Sequence, residues 1–126
     1  MTTGQLAALF AKAHQEGDLA ARASVPPSMI VTEHVNPLDD RSHIAQAWYV
    51  PEGPCGFAWI IIRPGNSPAA RFAKQRLGAK PAYYGGTQLW VSAYGQSIAR
   101  KQAYAKTFAN VLRDAGINAY ADSRLD

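Results

Sequence analysis

Two short segments of this 126-residue chain place glycine and serine just ahead of a helical pattern: Gly65-Asn66-Ser67 and Gly95-Gln96-Ser97. A helix N-terminus presents unpaired backbone N–H groups and the positive end of the helix dipole, so such loops receive phosphate or carboxylate. Arg71 follows the first loop, and Arg100 with Lys101 follows the second. Neither is a P-loop or a dinucleotide fingerprint, because no GK[ST] or GxGxxG occurs. Plain N-capping by Ser67 and Ser97 accounts for the same residues. A second candidate is Ala82-Tyr83-Tyr84-Gly85-Gly86, which follows Lys80-Pro81 and precedes Trp90. Aromatic rings beside Arg76 and Lys80 match the needs of base stacking with phosphate neutralisation. The same tyrosines also suit a loop pinned to its own core.

Constellations for catalysis are poor. His14, His34 and His43 have no metal-ligand spacing, and no HExxH occurs. The single cysteine, Cys55, excludes an internal disulfide and any Cys-based zinc cluster. Cys55 with His34 or His43 would make a nucleophile–base couple only if the fold joined them. Asp39-Asp40 reads as a solvated turn after Pro37. No catalytic residue, metal site or cofactor is expected, and the chain reads as a non-enzyme.

Charge is segregated. Residues 1–62 carry Lys12, Arg22 and Arg41 against Glu16, Asp18, Glu33, Asp39, Asp40 and Glu52. Residues 63–113 carry Arg63, Arg71, Lys74, Arg76, Lys80, Arg100, Lys101, Lys106 and Arg113 with no carboxylate, within a net charge of +4. Such a stretch favours an anionic partner if its cations gather on one face. Neutralisation by the acidic first half is the opposing expectation. The apolar run Phe57 to Ile62 is far shorter than the roughly 20 residues of a membrane span, and no secretory leader is recognisable. These features point to a cytoplasmic chain without a membrane partner.

The elements that must position these residues read as α-β-β-β-α-β-α-β. Residues 3–23 have Leu6, Leu9, Phe10 and Ala13 at helical spacing, with Pro26-Pro27 as a stop. This thin stripe predicts a peripheral helix, free for association. Strands are expected at 29–35, 43–50, 57–63, 87–94 and 117–121, with Pro51 to Gly56 as a hairpin connection. Aromatic and β-branched residues throughout 57–63 predict a central strand covered on both faces. Helices follow at Pro68, ending near Gly78, and at 98–115, ending at Gly116. The expected fold is one α+β domain over 1–126, with the core in 29–126 and a mixed sheet of about five strands.

Several segments resemble small accessory proteins encoded by tailed bacteriophages. They are Cys55-Gly56-Phe57-Ala58-Trp59-Ile60, Arg63-Pro64-Gly65-Asn66-Ser67, Tyr83-Tyr84-Gly85-Gly86, and the run from Gln96-Ser97 to Ser123-Arg124-Leu125-Asp126. The resemblance covers roughly residues 29–126 and carries no activity to transfer. It implies an infected bacterial cytoplasm and a modulator of host or defence machinery.

The functional expectation is therefore a binding protein for an anionic partner: nucleic acid, a nucleotide signal or an acidic host-protein surface. Arg63, Arg71, Arg76, Lys80, Arg100 and Lys101 would supply charge. Tyr83, Tyr84 and Trp90 would supply apolar contact, and Asn66, Ser67, Gln96 and Ser97 would complete the loops. The alternative is an interaction module that forms a homo-oligomer or holds a host protein through the N-terminal helix and the sheet, with no small ligand or nucleic acid.

Overall fold

A computed structural model describes residues 1–25, the backbone of 29–34 and 44–50, and residues 53–126. The expectations placed on Pro26-Pro27, Pro37, Asp39-Asp40, His43 and Pro51-Glu52 lie outside the described residues.

The N-terminal helix α1 runs Thr3–Ala23 and opens on a capping box. The Thr2 hydroxyl accepts from Gln5 N, while the Gln5 side chain accepts from Thr2 N. Two strands, β1 (Met29–His34) and β2 (Ile44–Val50), pair antiparallel as a separate ribbon. Then come β3 (Gly56–Arg63), α2 (Pro68–Arg76), β4 (Lys80–Pro81), β5 (Thr87–Trp90), α3 (Ile98–Asp114) and β6 (Asn118–Leu125).

The main sheet has the order β4-β5-β3-β6 and is antiparallel throughout. From β3 onward the chain is a β-α-β-β-α-β unit in which each helical crossover skips over one strand, the split β-α-β (ferredoxin-like) connectivity. The skipped strand always runs opposite to its neighbours. This is why the sheet is antiparallel rather than mixed, and it has four strands rather than five. The ribbon β1–β2 is not part of it. β3 does not pair with β2 across the expected Pro51–Gly56 hairpin, because its two edges are taken by β5 and β6. The chain is a single compact α+β domain.

Side chains alternate across β3, and the alternation sorts them by chemistry. Ala58, Ile60 and Ile62 are fully buried beneath the helices, together with Ala119 of β6. Phe10 of α1, Phe72 of α2 and Phe108 of α3 meet above them, with ring centroids 5.1 and 5.8 Å from Phe10. The N-terminal helix is thus a component of the core and not a peripheral element. Leu6, Phe10 and Ala13 are buried, and Gly17 gives close access to α3: a Cβ there would lie 2.9 Å from the Tyr104 ring. The thin stripe suffices because α1 lies in a groove lined by aromatic rings rather than on a flat surface.

All three helices cover one face of the sheet; on the other face of β3 Ile61 is still buried, at 5% exposed. Trp59 and Phe57, on that same face, are only half-buried. Truncation of the central ring removes the contact that all three helices share. Phe10→Ala is expected to lower unfolding stability by about 3–5 kcal/mol, read by chemical denaturation.

Candidate functional site

The face of the sheet turned away from the helices is built from four rungs set by strand register. Arg63 stands opposite Asn118; Lys80, Gln88, Ile61 and Tyr120 form the next rung; Trp90, Trp59 and Asp122 the third; Phe57 and Arg124 the last. Aromatic side chains run along these rungs, and three of them, Phe57, Trp59 and Trp90, are in contact. Trp59 and Trp90 lie 5.0 Å apart and tilted, and Phe57 meets Trp90 edge-on at 5.8 Å. Guanidinium groups cap the row at both ends, Arg63 at 5.3 Å over the Tyr120 ring and Arg124 at 5.5 Å over Phe57. Trp90 remains 45% exposed.

The β4–β5 turn forms the rim at the Arg63 end. Tyr83 and Tyr84 at its tip are 90% and 87% exposed and pack edge-on against each other at 4.8 Å. They are not pinned to the core. Gly86 lets this turn close against β3: its φ is +81°, and a Cβ there would lie 2.8 Å from Arg63 Cγ. An Arg63 guanidinium N–H donates to the Tyr84 carbonyl at 3.4 Å. Arg63, Lys80, Tyr83, Tyr84 and Trp90, all expected site residues, are therefore brought to one face and its rim.

The other expected residues are not. Ser67 caps α2, accepting from Ala70 N at 3.2 Å, and the adjacent Asn66 is exposed. Arg71 and Arg76 sit on the helix layer, beside a cleft of about 390 Å³ shared with Met1 and Thr3. The second loop is structural. Ser97 is buried and accepts from Arg100 N at 3.3 Å, while the Gln96 carbonyl accepts from Gly56 N at 3.0 Å. Arg100 donates to the Ala21 carbonyl at the end of α1. Lys101, 6% exposed, donates to the Gly56 carbonyl at 3.2 Å.

The two loops also lie at opposite ends of β3. Ser67 follows its last residue, and Gln96 bonds its first. At about 3.3 Å per residue, an eight-residue strand holds them roughly 20 Å or more apart, so they form no joint anion site.

Of the first half's carboxylates Glu16 and Asp18 are described, and neither pairs with a cation of residues 63–113. The one ion pair between described residues is Arg22–Asp18, at 2.9 Å within α1. The cations of 63–113 nevertheless do not gather on one face. Arg63 and Lys80 share the open sheet face, Arg71, Lys74 and Arg76 ride on α2, and Lys101 is buried. Sequence reasoning missed Phe57, Trp59, Tyr120 and Arg124 as site residues. The available signal was the period-two alternation Phe57-Trp59-Ile61-Arg63 against Ala58-Ile60-Ile62.

Cys55 is exposed and free, with an isolated bridge to Ser97. His14 is engaged elsewhere: its Nδ1 and the Tyr104 hydroxyl share a 2.7 Å hydrogen bond. Among the described residues no group of three or more His, Cys, Asp or Glu side chains is placed to hold a metal ion. No described helix is long and apolar enough to cross a membrane.

Beside the end of β5, a cleft of about 470 Å³ is walled by Phe10, Leu89, Tyr94, Tyr104 and Phe108. Its phenols are turned to protein partners. Tyr94, at φ 69°, donates to Asp18 Oδ1 at 2.7 Å, and this bond, with Arg22, holds the Asp18 carboxyl below its ordinary range. Burial pushes both phenols up, helped by the Asp18 charge, and Tyr104 reaches about 12.

No family model, curated protein or solved structure matches this chain.

Because the folded chain keeps these phenols protonated where the unfolded chain has lost the protons, their contribution to stability is whole below pH 10. It declines as pH rises from 10 towards 12. Tyr104→Phe is expected to flatten that decline in denaturant melts across this range, leaving the curve near neutral pH parallel to that of the parent.

Proposed function

We propose that the protein is a non-enzymatic binding module whose open sheet face takes single-stranded nucleic acid. The observation that supports this reading is the row of Phe57, Trp59, Trp90 and Tyr120, with a guanidinium stacked at each end. Any base has a π-face, and stacking on an aromatic side chain contributes about 1–3 kcal/mol whatever the base. Arg63, Lys80 and Arg124 would lie along the phosphates and release their counterions. Aromatic side chains on the central strands of a four-stranded sheet are a recurrent platform for splayed RNA bases. That likeness is one of geometry and enters as analogy. The resemblance to tailed-phage accessory proteins supports the setting: an infected bacterial cytoplasm, with host or defence nucleic-acid machinery as the target.

A second reading, a protein-interaction module, has one observation in its favour. The apolar cleft beside β5 adjoins Trp90, so a host protein or second copy would find apolar surface on both sides of that ring.

Titration with octathymidylate, followed by tryptophan fluorescence, separates the two. We expect quenching, with log affinity falling against log salt at a slope of about −2 for three phosphate contacts on a single strand. Trp90→Ala should weaken binding by about 5- to 150-fold, and Arg63→Ala should lower the slope by about 0.7. Affinity indifferent to salt, or unchanged in Trp90→Ala, would overturn the nucleic-acid reading. A dimer in light scattering that captures no oligonucleotide would favour the interaction module.

A further inference from the structure

Among the described residues, Asp122 is the one carboxylate on the four rungs of the open face. Asp122 stands opposite Trp59 in the register, between Tyr120 and Arg124 on its own strand. It is exposed, and it forms no ion pair among the described residues. One oxygen, Oδ1, accepts from Ser123 N at 2.8 Å, which fixes the carboxylate at the strand surface. Residues directly opposite on a hydrogen-bonded antiparallel rung have Cα atoms about 5.5 Å apart. A base stacked on Trp59 therefore lies within side-chain reach of Asp122.

A negative charge there repels phosphate, so its use must lie with groups that donate hydrogen bonds. We infer that Asp122 reads the edge of the base stacked on Trp59 and selects guanine, an inference that rests on the nucleic-acid reading above. Guanine is the base whose Watson–Crick edge carries two adjacent donors, N1–H and the N2 amino group, and a carboxylate accepts both. Thymine and uracil offer one imide N–H, and adenine and cytosine one amino group. Charge-assisted bonds of this kind are about twice as strong as neutral ones. The cations at either end of the row take the flanking phosphates, which leaves the centre for discrimination and the ends for affinity.

The test uses the full chain, octathymidylate, and the same oligomer with one internal guanine, inosine or adenine. The guanine oligomer should bind at least about fivefold tighter than octathymidylate. Inosine, which keeps N1–H but lacks the N2 amino group, should fall between them, and adenine should give no such gain. Asp122→Asn, which retains an acceptor for Ser123 N, should remove the guanine preference. It should also raise affinity for octathymidylate, because the charge that repels phosphate is gone. Thermal melting checks that this variant is folded.

Equal affinity for the guanine and thymine oligomers, or a preference that survives in Asp122→Asn, would overturn the inference and leave the nucleic-acid reading standing. Failure of every oligomer to bind would overturn both.

Discussion

The architecture depends on β3 having both edges hydrogen-bonded, to β5 and to β6, while only one of its faces is roofed by helices. A strand so held cannot turn both sets of its side chains towards the helices. Ala58, Ile60 and Ile62 go beneath Phe10, Phe72 and Phe108, and Phe57, Trp59 and Arg63 are left on the other side with whatever β5 and β6 bring. The row of rings is the counterpart of the core, produced by the same alternation.

The junction of α3 with β3 shows how polar groups are spent on holding that strand. Lys101 is buried with its ammonium on the Gly56 carbonyl and 5.6 Å from the Phe57 ring. The Gln96 carbonyl and the Ser97 hydroxyl satisfy N–H groups of Gly56 and Arg100. A buried ammonium is tolerated because it has an acceptor and an aromatic face nearby. Basic residues near a helix start read in the sequence as anion receptors. Here Arg100 and Lys101 are structural ties.

Much of the fold was legible. Helix starts at Ser67 and Ser97, the Pro68 placement and the hydrophobic spacing of α3 are local signals, and local signals survive folding. The central place of β3 was legible from its composition. Which strands flank it was not, because pairing between Gly56 and Leu125 is decided by packing over a long sequence separation. The candidate site was half legible. Tyr83, Tyr84, Lys80 and Trp90 stand out as an aromatic and basic cluster within a few residues. Phe57, Tyr120 and Arg124 join them only through register across β3 and β6, and a strand rich in both aromatic and β-branched residues hides its exposed half among residues that look like core.

The two borders of the main sheet differ in a way that limits how copies of this chain associate. β4 is two residues long and ends in Pro81, which has no N–H to donate, so that border is a poor template for another strand. The opposite border, β6, is eight residues long and among the described residues pairs with β3 alone. Growth of the sheet is therefore open on one side only. Two molecules meeting through their β6 borders around a two-fold axis would use up the extendable edge of each main sheet, which closes those two sheets as a pair.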